Sequence, residues 1–158
     1  MPLSADKTRA SRGLHNKRVE AFSIRTSQTL YIGSLAAFTT LGRVQAAAAA
    51  TNLRPAGVVE EIINESGVSI SAATGNAAGT VRAKIAWGHE VFVDIRTAAR
   101  TFINLGRNVF IFDDDAVTDT TAAGTAAVRV SIGSLTEINA GKTQGWLALR
   151  VYGDTNAV

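Results

Sequence analysis

Cysteine is absent from the 158 residues, which excludes disulfides, thiol catalysis and cysteine-ligated zinc. Proline occurs twice, and charged residues make up 18% against 46% hydrophobic, a balance that excludes a disordered chain and fits one globular domain. Long apolar runs are missing too. The most apolar window, LYIGSLAAFTTLG from Leu30, is too short to span a bilayer and is interrupted by Gly, Ser and Thr. The opening MPLSADKTRASRGLHNKRVEA has no continuous apolar stretch, so no secretory signal is expected, and synthesis is expected in a cytoplasm. Much of the apolar content is alanine. The core is therefore expected to be thin, with partner subunits completing it.

The charge is unevenly placed. Residues 1–25 carry Lys7, Arg9, Arg12, Lys17, Arg18 and Arg25 against Asp6 and Glu20, a net of +4, while the other 133 residues come to −1. Residues 1–17 read as an extended basic arm and residues 18–158 as a single β domain. Within the domain, RVEAFSIRT alternates as a first strand. TLYIGSLAAF (29–38) is a strand region with Gly33 as a bulge or close-approach point. Ala46–Ala50 reads as a loop or a single helical turn, being too short for a stable helix. RPAGVVEEIIN is a strand opened by Pro55. TVRAKIAWG places Val81, Ala83, Ile85 and Trp87 on one face with Arg82 and Lys84 on the other. EVFVDIR follows Gly88 and is expected to pair with it as a hairpin. RTAARTFINLGRN (96–108) is the one segment with helical character, stopped by Gly106. VFIF, a short strand at Val117, AAVRVSIGSL and GWLALRVYG complete the set. Short strands with Gly-rich turns predict an all-β fold, a small barrel or sandwich with one short helical turn.

Each candidate for chemistry reduces to a structural reading. Asp113, Asp114 and Asp115 follow an apolar run, but a calcium loop begun at Asp113 needs Gly sixth and Glu twelfth, where Thr118 and Gly124 stand. Adjacent carboxylates on a strand or turn diverge, which does not suit a catalytic pair, whereas Asp is a strong turn former. A turn is the first reading, a charge contact with a neighbouring subunit the second, a metal the last. AGKT (140–143) ends like a phosphate loop, yet Thr136 stands where the first Gly belongs and a strand follows. His15 and His89 have no partner at helical spacing for zinc. Asn64-Glu65-Ser66 fits a glycosylation sequon without a secretory route to modification. Trp87 and Trp146 read as core or interface anchors. The basic arm reads as a solvated tail, a nucleic-acid contact or a segment that orders on a protein surface. It lacks an aromatic before Phe22, and its spaced charges with Leu3, Leu14 and Val19 suit the last.

The order of motifs resembles the capsid decoration, or cement, proteins of tailed bacteriophages. Met-Pro-Leu and a short basic arm lead to Tyr31-x-Gly33-x-Leu35, then Ala56-Gly57-Val58-x-Glu60-Glu61, then Gly88 with Phe92-Val93. Leu105-Gly106 leads to Val109-Phe110-x-x-Asp113-Asp114, with Thr118 shortly after. The sequence departs from the family pattern at Ala86-Trp87, where a basic pair is usual, and in its longer closing turn INAGKTQG. The resemblance implies a hairpin turn at the aspartates and a non-enzymatic virion protein on the outer capsid surface, made in the host cytoplasm, that bridges major capsid subunits. The expected partners are the major capsid protein and the chain itself as a homotrimer, with a dimer as the alternative symmetry. No cofactor, metal, membrane or small-molecule ligand is expected, and nucleic acid is disfavoured. Capsid contacts are expected from Leu3, Lys7, Arg9, Arg12, Leu14, Lys17, Arg18 and Arg25. Inter-subunit contacts are expected at Trp87, Asp113, Asp114, Asp115 and Trp146. Another head or tail component, or a nucleic-acid-binding domain using the arm, is the alternative function.

Overall fold

The alternation in residues 81–87 becomes a strand region whose Val81, Ala83, Ile85 and Trp87 are buried while Arg82 is exposed. The same logic runs through the protein. The computed structural model describes residues 3–48, 52–96, 105–106, 108–118 and 131–149, and these form an all-β fold. The strands are β1 (Ser11–Arg12), β2 (Arg18–Ser23), β3 (Thr29–Tyr31), β4 (Leu35–Phe38), β5 (Val44–Ala46), β6 (Arg54–Ile63) and β7 (Ser69–Ile70). They continue as β8 (Ala72–Thr74), β9 (Arg82–Trp87), β10 (Glu90–Ile95), β11 (Asn108–Ile111), β12 (Ala116–Thr118), β13 (Ser131–Ile138) and β14 (Gln144–Leu149).

Five strands close a small barrel in the order β10-β12-β11-β13-β14, with β14 returning to pair with β10. Its interior is filled by Val91, Val93, Ile95, Val109, Ile111, Val117, Ile132, Leu135 and Leu147. These are branched side chains, at alternate positions on β10 and β11, as a narrow barrel requires, while on β13 the register shift at Ile132 breaks the alternation. The second sheet runs β2-β9-β6-β4-β5 and bends round until Ile24 meets Val44 in an isolated parallel bridge. It encloses a separate core of Ile24, Leu30, Phe38, Val44, Val59, Ile62, Ile85 and Trp87. Phe22 meets Phe38 edge-on there, with ring centroids 4.7 Å apart.

The two cores meet at β4. Leu35 and Ala37 face the barrel cluster, and Ala36 and Phe38 face the other. A strand buried on both faces reads as a continuous apolar run, which is the pattern of LAAF. Small side chains there let the two layers approach closely, so the alanine content has a definite place in the fold.

One sequence expectation is overturned. β9 and β10 do not form a hairpin. β9 lies between β2 and β6, whereas β10 pairs with β14, β12 and β1. Gly88, at φ 75°, turns the chain from one sheet into the other, and a Cβ there would lie 2.5 Å from the Asn16 carbonyl. The 3₁₀ turn of the described residues lies in the arm, at Leu14–Asn16. The helical reading of residues 96–108 falls outside the described residues except at Arg96, Leu105, Gly106 and Asn108. Ala46 ends β5, and Ala49 and Ala50 lie outside the described residues. The region Thr29–Phe38 is two strands broken at Gly33.

Candidate functional site

The hairpin between β11 and β12 places three carboxylates in a row, and local chemistry fixes the first of them. Asp113 Oδ1 accepts from the backbone N–H of Asp115 and of Ala116, both at 2.9 Å, the self-capping turn that makes Asp a turn former. That bond turns the next two side chains away, so Asp114 and Asp115 meet the arm. All three aspartates are buried.

Asp114 accepts the Leu3 N–H at 2.9 Å through Oδ1 and the Ser34 hydroxyl at 3.3 Å through Oδ2. Burial pushes its carboxyl above the usual range against these bonds. Lys7 Nζ donates to Asp115 and, at 2.8 Å, to Asp94 of β10. Arg9 runs between the two layers with only 2% of its side chain exposed. Its Nε donates to the Gly33 carbonyl, its Nη1 to that of Phe92 at 3.3 Å, and its Nη2 to that of Asp115 at 2.9 Å. Nη2 also reaches the Asp114 carbonyl and the Asp115 carboxylate, each at 3.4 Å. The planar guanidinium fork suits this set of acceptors in a way that an ammonium does not. Burial lowers its pKa, with the nearby aspartates opposing.

Further along the arm, β1 pairs with the start of β10, Ser11 opposite Val91 and Arg12 opposite Glu90. Arg12 bonds Glu90 and, at 2.8 Å, Glu137 of β13, and lies 4.3 Å over the Trp146 ring, which itself meets Phe92. Lys17 pairs with Glu60. Lys7, Arg9, Arg12 and Lys17 thus each meet a carboxylate of their own chain, and the arm clasps the barrel to the second sheet.

The other expected contacts lie elsewhere. Trp87 is buried in the second core. Leu14 is exposed on the 3₁₀ turn, Arg18 is exposed at the start of β2, and Arg25 donates from Nη1 to Gln45 Oε1 at 2.5 Å. His15 bonds Asn16, and His89 is buried at the crossover with Nδ1 unpartnered among the described residues. Burial lowers the His89 pKa, opposed by a bond to the Trp87 backbone. Sequence reasoning missed the arm's partners Ser34, Asp94, Glu90, Glu137 and Glu60. Its one pointer was Gly33 as a point of close approach.

No protein-family model matches the chain, and no curated protein or solved structure is found to be similar to it.

The clasp carries a pH dependence with a definite sign. Burial raises the Asp94 carboxyl, but bonds from Lys7 and Gln144 outweigh it and hold the pKa below the usual value. The Arg12 bond does the same for Glu90. Depressed carboxylates contribute stability above their unfolded value of about 4, and that contribution is lost as pH falls through the folded values. Asp114, raised, acts with the opposite sign over the window above its unfolded value. Burial lowers the Lys7 pKa, but its two carboxylate bonds outweigh it and leave it raised. Its contribution is therefore lost only as pH rises through that value, above about 10. The lowered His89 pKa adds a gradual loss of stability as pH falls below its unfolded value of about 6.5, and the transition expected in tryptophan emission comes below pH ~4 as Arg12 leaves Trp146. A transition centred near neutrality would contradict this account.

Proposed function

We propose that the chain is a non-enzymatic structural component of a phage virion that binds the outer surface of the capsid and bridges adjacent major capsid subunits. The observation that carries the reading is the Asp113–Asp115 hairpin. The resemblance implies a turn between two short strands, and the carboxylates here hold a turn and an arm. Catalysis by these groups would need a carboxylate open to a substrate, whereas Asp114 and Asp115 already bond the arm. The motif order from Tyr31 to Thr118, on which the resemblance rests, points the same way.

In this reading a symmetric oligomer, three-fold first and two-fold second, touches several capsid subunits and gains avidity from individually weak contacts. Of the expected capsid contacts, Leu14 and Arg18 face outward. The alternative of nucleic-acid binding through the arm is weakened by the pairing of Lys7, Arg9, Arg12 and Lys17 with the chain's own carboxylates.

Co-sedimentation with purified heads that lack this protein tests the reading. Saturable binding at a copy number matching one lattice position, reduced by Leu14→Asp, is expected. Failure to bind heads, together with salt-sensitive binding to DNA, would overturn it.

A further inference from the structure

The edge of the second sheet at β2 has the geometry of a self-complementary interface. Ile24 N–H donates to the Val81 carbonyl at 3.0 Å, so Ile24 faces Val81 in the same register that sets Arg18 opposite Trp87. In an antiparallel pair the backbone groups of alternate residues point to the partner strand and the rest point away. Arg18, Glu20 and Phe22 therefore turn their amide and carbonyl groups to β9. Val19, Ala21 and Ser23 turn theirs outward. The next residue of that parity, Arg25, donates its N–H to Val44 at 2.8 Å, so β5 covers the edge only from there on. Among the described residues, no other strand lies beside Arg18–Ser23 on that side. The outward groups of Val19 meet no partner among the described residues, and the Ala21 carbonyl meets only Arg82 Nη2, at 3.5 Å.

Exposed edges are normally blunted by a proline, a bulge or an inward charge. β2 has no proline, and its register with β9 runs without a shift from Arg18 to Ser23. Val19 is 45% exposed, and Leu14 on the preceding 3₁₀ turn is 53% exposed. The side chains of Arg18 and Glu20, also exposed, have neither a hydrogen bond nor an ion pair among the described residues.

We propose that β2 is a homotypic interface, at which a second copy of this chain adds its own β2 antiparallel across a two-fold axis through Val19. That axis makes Val19 a hydrogen-bonded pair with itself, which its outward N–H and carbonyl require. It also sets Arg18 of each copy opposite Glu20 of the other, so both charges find a partner twice over. Opposite charges directly across a strand pair attract and like charges repel. The sequence Arg-Val-Glu reads as its own complement only when the strands run antiparallel. The symmetry is the two-fold alternative named above, but the pairing stands on the edge geometry and does not depend on capsid binding.

Sedimentation velocity of the full chain over a concentration series tests this. Wild type is expected to associate to a dimer, and Arg18→Glu or Glu20→Arg alone to weaken association roughly tenfold or more by facing like charges. The double variant R18E/E20R is expected to restore it. An equimolar mixture of the two single variants is expected to form heterodimers, since one copy then presents two glutamates and the other two arginines. Val19→Pro, whose lost N–H points away from β9, is expected to abolish association with the thermal melt retained. A wild type that stays monomeric throughout would overturn the proposal. So would single variants that associate normally, or a mixture that forms no heterodimer, the result expected if another protein or another part of this chain takes the edge. Head binding is read in a separate experiment, so failure here and failure of the capsid reading are distinguishable.

Discussion

Arg9→Ala is expected to lower the free energy of unfolding by about 3–5 kcal/mol, measured by urea denaturation at neutral pH. The guanidinium is almost completely enclosed and serves carbonyls from three places: the Gly33 turn, β10 at Phe92, and the aspartate hairpin. Truncation removes the arm's donors from the Gly33, Phe92 and Asp115 carbonyls in a low-dielectric gap, while the Asp114 carbonyl keeps the Leu35 N–H at 2.7 Å. Lys7 still reaches Asp115, so the carboxylate keeps one partner while the carbonyls keep none from the arm. Arg9→Lys is expected to recover less than half of the loss, because one ammonium cannot span the same acceptors. A loss below about 1 kcal/mol for the alanine variant would mean that the arm contributes little to the fold.

Gly33→Ala is the second large effect. Gly33 sits at φ 85°, and a Cβ added there would lie 1.8 Å from the Lys7 carbonyl oxygen and 2.8 Å from its carbon. Backbone cannot yield as a flexible side chain does. Lys7 is held in place by its N–H to the Ile32 carbonyl at 2.8 Å, and Gly33 by its own N–H to Val59 at 2.8 Å. The substitution therefore expels the arm around Lys7 or opens the turn. Gly42→Ala is the control, since Gly42 has a similar φ of 74° but nothing within 4 Å of the added carbon. The control is expected to cost about 1 kcal/mol from backbone strain alone, and Gly33→Ala at least about 3 kcal/mol. Limited trypsin digestion gives a second readout, with faster cleavage after Lys7, Arg9 and Arg12 in the Gly33 variant only. Equal losses in the two variants would show that conformation, not the crossing of the arm, sets the cost.

What the sequence made legible was local. The period-two pattern at Val81–Trp87, the turn chemistry of Asp113 and the close approach at Gly33 all follow from properties of a few neighbouring residues, and all three are present. Pairing partners were not legible. β10 was expected beside its sequence neighbour β9, but alternation states only which face of a strand is buried, not which strand lies alongside. Its partner β14 begins 50 residues after Asp94, at Gln144. The arm illustrates the same limit. Arg9, Asp94 and Asp115 carry ordinary surface-type side chains, and nothing in their own neighbourhoods signals that the topology will enclose them together. The basic arm could be seen as distinctive, but not that its charges would be met within the chain.

Closure of the barrel has a kinetic consequence. β10 must find β14, whose Gln144 lies 50 positions beyond Asp94, and Arg12 must find Glu137, 125 positions further along the chain. Ordering that much chain precedes any gain from these contacts, so folding is expected to be slow for a protein of this size, with docking of the arm among its last steps. During that interval β10 presents unpaired backbone on the side that β1 will occupy, and a chain waiting there is exposed to pairing with its neighbours. The clasp therefore sets the length of that exposure as well as the strength of the finished fold.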